Sequence, residues 1–205
     1  VIIPTYKHRD FVLQTITSVQ AQTFTDWELI IINDGSPDDT HEILQPLLAA
    51  PNIRYIRQEN QGQSAARNRG IAEARGQYLA FLDDDDLWPP DKLAWQVAML
   101  ENHPEWGIIS GTYTELERSD GITKPTYAPK TLSHLEMFAG CPCISPGQYL
   151  VRTDLVRKIG GFDPDLWGTD DYDLLLRISV HTPIVIDKHL ALFYRVHAGN
   201  ASNNS

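Results

Sequence analysis

Cysteine is scarce in this chain of 205 residues, which contains only Cys141 and Cys143. Cysteines so close in sequence rarely pair, and two of them make no disulfide framework. A Cys-Pro-Cys metal site would need a second pair of ligands, which the sequence does not offer. We therefore expect both thiols to stay reduced in a reducing compartment.

The sequence also lacks apolar runs long enough to span a membrane, and it shows no signal peptide. The chain opens without a Met, inside an apparent strand at Val1-Ile2-Ile3, and we interpret it as a domain trimmed from a longer protein. Its apolar fraction of 42% and charged fraction of 21% are ordinary for a soluble globular protein. The composition predicts a single cytoplasmic domain with a substantial core.

Positive charge is in deficit, because 17 Lys and Arg residues face 27 Asp and Glu residues, for a net charge of −10. This balance argues against a broad surface for nucleic acid or for anionic membranes. The phosphate loops of ATPases and NAD enzymes do not occur, and neither does a Ser-His-Asp spacing or a cysteine nucleophile context. An anionic substrate would therefore need a metal ion or a few well-placed cationic side chains.

The most prominent feature that is present is a run of four aspartates, Asp83 to Asp86, directly after the apolar run 78–82. Four like charges repel one another unless something positive lies among them. A solvated acidic turn is one interpretation of the run. The other is a site for Mg²⁺ or Mn²⁺, since these cations prefer carboxylate oxygen and since ligands collect at strand ends in open α/β sheets. Such a cation would hold an anionic substrate, most simply a diphosphate.

Strands and helices alternate over residues 1–100, which predicts an α/β fold with a mainly parallel sheet flanked by helices. Asp10, Ser36 and Ser64 are predicted helix caps. The expected strands are 1–3, 29–32, 53–56, 78–82, 106–114, 147–152, 184–186 and 191–196. The segment 115–146 is irregular and rich in proline, and we interpret it as a substrate lid or an acceptor wall.

Polar residues at the ends of the expected strands are candidates for ligand binding. Asp34 could accept hydrogen bonds from a base or a ribose, or it could cap the next helix together with Ser36. Tyr6 could stack on a flat ring or pack in the core. Arg67 and Arg69 lie near a helix start, where they could bind phosphate or form a solvated basic face.

A second acidic cluster, Asp170, Asp171 and Asp173, starts an expected helix at 170–180. These carboxylates could serve only as helix caps, or one of them could act as a general base with a raised pKa. His197 follows the last expected strand, and it could be structural or a ligand.

Together these segments resemble the inverting glycosyltransferases of family 2, whose GT-A fold is a single Rossmann-like domain. The resemblance covers essentially the whole chain and rests on six segments in the family's order and spacing. They are Val-Ile-Ile-Pro-Thr-Tyr at 1–6, Trp27 to Ser36, Gly62 to Gly76, Phe81 to Trp88, Gly160 to Asp163, and Asp170 to Leu174.

The resemblance implies a role for each matching position. The implied substrate-binding residues are Pro4, Thr5, Tyr6, Asp34, Arg67, Asp83 and Asp84. Within this set, Tyr6 stacks on the base, Asp34 hydrogen-bonds it, and Arg67 contacts the base or the diphosphate. Asp83 and Asp85 form the Asp-x-Asp pair, with Asp83 near the ribose and Asp85 on the metal. Asp84 occupies the variable middle position, and His197, near the diphosphate, completes the implied metal set.

The catalytic base implied by the resemblance is Asp171. Asp170 stands where the family commonly has Glu, which keeps the charge but shortens the reach. Asp170 therefore remains the alternative base.

The reaction implied is the transfer of a sugar, with inversion, from a nucleotide-sugar to an acceptor hydroxyl, with Mn²⁺ or Mg²⁺ as cofactor. UDP is the favoured nucleotide, and dTDP and GDP remain open. The acceptor would be a glycan or a lipid-linked molecule in polysaccharide, lipopolysaccharide or glycolipid biosynthesis, and work at the inner face of the membrane is compatible with this. Residues 1–100 would bind the nucleotide-sugar, and residues 101–205 would bind the acceptor and carry catalysis.

Two other functions remain as alternatives. The first is a non-catalytic module in which the carboxylates only hold a nucleotide-sugar or a metal ion. The second is a phosphohydrolase that uses the first aspartate after the apolar strand as its nucleophile. That chemistry needs a small Thr/Val-type continuation, which Asp84 to Trp88 does not supply.

Overall fold

A computed structural model describes residues 1–116, 130–140 and 143–197 of the chain. Its first three strands, β1 (Ile2–Thr5), β2 (Leu29–Asn33) and β3 (Ile53–Arg57), form a parallel sheet in the order β1-β2-β3. All five residues of β2 are buried, as expected for a β-branched strand covered on both faces. The helices that follow these strands are α1 (Arg9–Gln20), α2 (Thr40–Leu44) and α3 (Gln63–Glu73).

The remaining strands form a mixed sheet in the order β4-β7-β5-β8-β6. They are β4 (Tyr78–Ala80), β5 (Ile108–Glu115), β6 (Lys130–Leu132), β7 (Tyr149–Arg152) and β8 (Ile184–Tyr194). β7 runs antiparallel to β4 and β5, β6 runs antiparallel to β8, and β5 runs parallel to β8. A parallel bridge between Ile2 and Phe81 joins the two sheets. The remaining helices are α4 (Lys92–Asn102), α5 (His134–Met137), α6 (Thr153–Lys158) and α7 (Asp170–Ser179).

The predicted α/β class, with a parallel sheet flanked by helices, is confirmed. The parallel pairing is confined largely to the first half, because the chain reverses direction at β7 and β6 in the second half. None of the described helices is long and apolar enough to cross a membrane.

The core lies on both faces of the sheet, as the alternation of side chains along β2 requires. Ile30 and Ile32 pack into one apolar cluster with Leu174 of α7. Leu29 and Ile31 belong to the cluster on the other side, with residues of α1 and α4. Helices therefore cover both faces of the strands whose ends carry the candidate site residues.

Helix α3 lies very close to β1 because a glycine stands at their contact. A Cβ atom at Gly70 would lie 2.4 Å from Cγ2 of Ile2, far inside van der Waals contact. The absence of a side chain at this position lets α3, the helix that carries Arg67, pack closely against β1.

The three predicted helix caps are wrong. Helix α1 begins at Arg9 after His8, so Asp10 lies inside its first turn. Helix α2 begins only at Thr40, four residues after Ser36. Ser64 lies inside α3 and donates its hydroxyl to Asp170 instead of capping the helix.

The segment 115–146 contains two elements that its irregular sequence did not reveal, namely β6 and α5. Helix α5 begins with a capping box, in which Ser133 and Glu136 bond each other's backbone N–H groups. The strands expected at 184–186 and 191–196 are one continuous strand, β8. Cys143 is buried, with Sγ 3.2 Å from Oγ of Ser110, whereas Cys141 lies outside the described residues.

Candidate active site

A cavity of about 530 Å³ opens where β1, β2 and the aspartate run after β4 come together. Its wall also includes residues near the start of α3, residues of the loop before β7 and residues at the start of α7. The ends of the parallel strands β1 and β2 thus lie at the same cavity as the acidic start of α7, although more than a hundred residues separate either strand from α7 in sequence. Most of the predicted site residues line this cavity, which they share with His8, Gln63, Ser145 and Trp167.

Asp83 accepts hydrogen bonds from three side chains. Its Oδ1 accepts hydrogen bonds from Nη2 of Arg67 at 2.6 Å and from Nε2 of Gln63 at 3.0 Å. Its Oδ2 accepts one from Oγ of Ser145 at 3.1 Å. The aspartate run is therefore not a solvated turn at its first position, because its carboxylate is tied to α3 and to the loop before β7.

Ser145 is positioned by a buried chain of amides. Nε2 of Gln96 donates to the carbonyl of Gln148 at 2.8 Å, and Oε1 of Gln148 accepts from the N–H of Ile144 at 2.7 Å. Gln96 and Gln148 are almost completely buried. Since buried amides must be satisfied, these bonds fix the loop that carries Ser145 to Asp83.

Asp84 connects the aspartate run to the end of β1. Its Oδ2 accepts the N–H of Tyr6 at 3.2 Å, and its Oδ1 lies 2.7 Å from Nδ1 of His8. The hydrogen bond to Asp84 raises the pKa of His8 to about 9 despite partial burial. His8 is therefore cationic at neutral pH, and it lines the cavity. This pair was not predicted from the sequence, and it gives Asp84, the variable middle position of the Asp-x-Asp pair, a structural role of its own.

Asp85 lines the cavity and contacts His197, which is far away in sequence and does not line the cavity itself. Nε2 of His197 lies 2.9 Å from Oδ2 of Asp85. Burial raises the pKa of the Asp85 carboxyl, and the charges of Asp83 and Asp84 raise it further. The structure thus brings together two members of the predicted metal set, whereas the carboxylate of the third, Asp83, is bonded to Arg67.

Asp86 is completely buried and serves the fold. Its Oδ1 accepts the N–H of Arg195 at 2.8 Å, and its carbonyl accepts the hydroxyl of Thr15 at 2.8 Å. Burial raises the pKa of its carboxyl well above the usual range. Asp86 therefore anchors the end of the aspartate run to α1 and to the chain after β8, and it does not line the cavity.

Asp34 and Tyr6 lie at the ends of β2 and β1, and both line the cavity. The Asp34 carboxylate accepts hydrogen bonds from the side chain of Gln58 at 2.8 Å and from the N–H of Gly62 at 2.8 Å. It therefore holds the loop before α3 and does not cap the helix after Ser36. Tyr6 is 39% exposed, which excludes core packing.

Arg67 is the cation at the centre of the site. It is only 2% exposed, and its guanidinium bridges Asp83 at 2.6 Å and Asp170 at 3.0 Å. Arg69, by contrast, is solvated and pairs with Glu73 on its own helix. Arg67 therefore faces the cavity, whereas Arg69 belongs to the solvated outer face of the helix.

The acidic start of α7 contains two carboxylates in different environments. Asp170 accepts hydrogen bonds from Oγ of Ser64 at 2.7 Å and from Arg67. Asp171 accepts the N–H of Tyr172 at 2.7 Å. Burial raises the pKa of Asp171 to about 6, although the charge of Arg67 opposes the shift. Asp170 is thus held in an ion pair, whereas Asp171 is a stronger base than an ordinary aspartate.

Solved structures with a similar fold exist. TarS 1–349 of S. aureus, solved in complex with UDP-GlcNAc, superposes with a TM-score of 0.83 at 18% sequence identity, over 100% of this chain and 60% of that chain. The mannosyltransferase PcManGT of Pyrobaculum calidifontis, solved with GDP-Man and Mn²⁺, gives a TM-score of 0.77 at 19% identity, over 97% of this chain and 57% of that chain. At this identity the likeness establishes the fold alone.

Curated relatives are longer than this chain. An uncharacterized glycosyltransferase of Rickettsia prowazekii is 31% identical over 212 residues, which cover 100% of this chain and 66% of the relative. The putative teichuronic acid biosynthesis glycosyltransferase TuaG of Bacillus subtilis is 38% identical over 139 residues, 65% of this chain and 54% of its own length. The sequence profile of Glycosyl transferase family 2 matches residues 1–160. The chain belongs to glycosyl transferase family 2.

Proposed function

We propose that this chain forms the catalytic domain of an inverting glycosyltransferase that moves a sugar from a UDP-sugar to an acceptor hydroxyl during cell-envelope polysaccharide synthesis. One observation carries the proposal: Asp171, a carboxylate of raised pKa, lines the same cavity as Asp83 and Arg67. A base for an acceptor and groups for a nucleoside diphosphate therefore share one space. The UDP-GlcNAc complex of TarS and the name of TuaG support the choice of donor and pathway.

The nucleotide would lie over the ends of β1 and β2. There the exposed ring of Tyr6 offers a stacking surface, and Pro4 and Thr5 line the cavity beside it. The Asp34 carboxylate, 3% exposed and held by the loop 58–62, faces the same region. Its fixed position would suit a hydrogen-bond donor on the edge of the nucleotide's base. GDP and dTDP remain alternatives to UDP, since PcManGT was solved with GDP-Man.

The diphosphate would lie between two cations that the protein already holds in place. Arg67 is fixed by two carboxylates and His8 is fixed by Asp84, and both side chains line the cavity. Fixed cations need little reorganisation when charge develops on a departing group, so they stabilise the transition state. Asp83 and Asp84 would act here by contacting the donor and by orienting these two cations.

A divalent cation fits the chemistry of Asp85 and His197. Burial raises the pKa of the Asp85 carboxyl, and the charges of the neighbouring Asp83 and Asp84 raise it further, so a cation beside this carboxylate would be favoured. No group of three or more potential ligands converges among the described residues. This matches the way Mg²⁺ binds through one or two carboxylates together with substrate phosphates. We propose that Asp85 and His197 would hold Mn²⁺ or Mg²⁺, which when bound would supply Lewis-acid stabilisation of the diphosphate.

The transfer itself would need one base. Asp171 takes the proton of the acceptor hydroxyl, and the acceptor oxygen forms a bond to the anomeric carbon. The bond between that carbon and the diphosphate oxygen breaks, and its electron pair leaves with the diphosphate. A single displacement from the opposite face inverts the anomeric configuration. Asp170 is a weaker candidate for the base, because Ser64 and Arg67 already occupy its carboxylate.

A turnover assay tests the proposal. The wild-type protein is incubated with UDP-sugars and a wide acceptor panel, with and without Mn²⁺, and release of UDP is measured. We expect UDP release that depends on Mn²⁺ and is strongly reduced in Asp171→Asn, while UDP binding by the variant is unchanged. Binding without turnover over the whole panel would favour a non-catalytic module, and an aspartyl-phosphate on the protein would favour a phosphohydrolase.

A further inference from the structure

Trp167 is an exposed aromatic side chain at the catalytic cavity. It lines the same cavity as Asp171, yet 67% of its surface is accessible. Large apolar groups left accessible beside a cavity are a common mark of a binding surface. The proposed mechanism gives Trp167 no role, so its position calls for a separate explanation.

Local hydrogen bonds shape the loop that carries Trp167. Asp163 accepts the N–H of Asp165 through its side chain at 3.0 Å and the N–H of Leu166 through its carbonyl at 3.3 Å. Gly168 then takes a positive φ of 78°, which only glycine adopts without strain. The loop therefore leads directly into α7. Trp167 precedes Asp171, the proposed base, by only a few residues in sequence.

A second apolar side chain lines the cavity from the loop before β7. Ile144 is 37% exposed, and its N–H is fixed by the buried Gln148. The cavity thus offers an aromatic surface from one loop and an aliphatic surface from another. Both loops line the cavity from elements other than β1 and β2, and the nucleotide is proposed to bind over the ends of those two strands.

Charge at this wall limits what can bind there. The first turn of α7 carries Asp170, Asp171 and Asp173, and the chain as a whole has a net charge of −10. Asp170 is paired with Arg67 and Asp173 with Arg177, so Asp171 and the net negative charge of the chain are what disfavour an anionic acceptor or an anionic lipid surface here. A sugar ring is neutral, with an apolar face of C–H groups for an aromatic ring and hydroxyl groups at its edge for a carboxylate.

We propose that Trp167 is the platform on which the ring of a neutral acceptor sugar stacks, with Ile144 as a further apolar contact. The stacked ring presents one hydroxyl group to Asp171. This assignment rests on the proposed transferase function and names its acceptor class: a glycan that ends in a pyranose. Aromatic stacking contributes binding energy and orients the ring, so Trp167 sets both affinity and choice of acceptor.

Saturation-transfer NMR on the UDP-loaded protein tests this assignment. The probes are methyl glycosides of glucose, galactose, mannose and N-acetylglucosamine. The variants are Trp167→Ala, Trp167→Phe and, as a matched control, Leu135→Ala, because Leu135 is 79% exposed but does not line the cavity. Calorimetry with UDP and Mn²⁺ on the same proteins reports whether the donor site is intact.

We expect at least one glycoside to receive saturation at its ring C–H protons in the wild type. Its dissociation constant should rise about tenfold in Trp167→Ala, stay within about threefold in Trp167→Phe, and remain unchanged in Leu135→Ala. UDP affinity should be the same in all four proteins.

Three results would overturn the assignment while leaving the transferase proposal intact, provided that the wild type binds UDP. The first is glycoside binding by Trp167→Ala equal to that of the wild type. The second is a UDP-loaded wild type that binds none of the four glycosides. The third is sedimentation of the wild type, but not of Trp167→Ala, with phosphatidylglycerol vesicles, which would make Trp167 a lipid contact. A wild type that binds no nucleoside diphosphate would contradict the transferase proposal and this assignment together.

Discussion

Replacing Asp171 with Asn separates the chemistry of this carboxylate from its effect on the fold. Asparagine keeps the shape and can still accept the N–H of Tyr172, which now lies at 2.7 Å, but it cannot take a proton. A lost general base lowers the rate by about 10²- to 10⁴-fold. We therefore expect transfer to fall by that factor, with unchanged UDP affinity. In the wild type, transfer should also decline below pH 6, where Asp171 becomes protonated, since its pKa is about 6.

The same substitution should stabilise the protein at neutral pH. Burial raises the pKa of Asp171 from 3.8 to about 6, so the folded state disfavours the ionised form. The resulting loss of stability is absent below pH 3.8, grows up to about pH 6 and is complete above it. A shift of about two units corresponds to at most about 3 kcal/mol. Asp171 is partly exposed, so we expect Asp171→Asn to gain about 1–3 kcal/mol at pH 7.5 and nothing at acidic pH.

Urea denaturation at pH 7.5 and at a pH below 3.8, run beside the transfer assay, measures these effects. The control is Asp170→Asn, which weakens the bonds from Ser64 and Arg67 and should lose stability at neutral pH. Near-wild-type transfer by Asp171→Asn would refute the assignment of the base and make Asp170 the next candidate. A loss of stability in Asp171→Asn at pH 7.5 would refute the argument from burial.

Substitutions at three further positions test how the site is held. Arg67→Ala leaves two carboxylates without their shared cation and should lower the free energy of unfolding by about 3–5 kcal/mol, measured by urea denaturation, whereas Arg67→Lys should lose less stability. His8→Gln keeps a donor for Asp84 but removes the charge, so UDP affinity measured by calorimetry should fall about tenfold with little change in thermal stability. Gly70→Ala forces a methyl group against Ile2 and should destabilise the fold by about 1–3 kcal/mol, and a gain in its melting temperature would contradict the close contact.

The sequence predicted those parts of the fold in which the local pattern of apolar residues matches the position that the segment takes in the folded protein. The run 29–32 is apolar throughout, and it forms the central strand of a parallel sheet. The second half was harder to predict, because antiparallel and parallel strands of similar composition mix there. The pairing of β7 with both β4 and β5 depends on contacts between residues about 40 to 75 positions apart, which no local pattern encodes.

The candidate site shows the same limit at the level of single residues. Most members of the predicted set line one cavity, and those that follow β1 and β2 meet there because parallel strands end at one edge of the sheet, a rule that sequence reasoning can apply. The partners within the set could not be predicted in this way. His8 with Asp84 and Ser145 with Asp83 are contacts between loops. The different environments of Asp170 and Asp171 depend on the direction of Arg67, which enters from another helix.

Titration calorimetry with UDP, in the presence and absence of Mn²⁺, tests the central claim most directly. The proteins are the wild type and Asp85→Ala, which removes a carboxylate of the proposed cation site but leaves Arg67 and Asp34 in place. The account predicts that Mn²⁺ strengthens UDP binding to the wild type, and that Asp85→Ala loses this dependence on Mn²⁺. The account would be contradicted if neither UDP nor GDP nor dTDP bound to the wild type, or if Asp85→Ala kept the full effect of Mn²⁺.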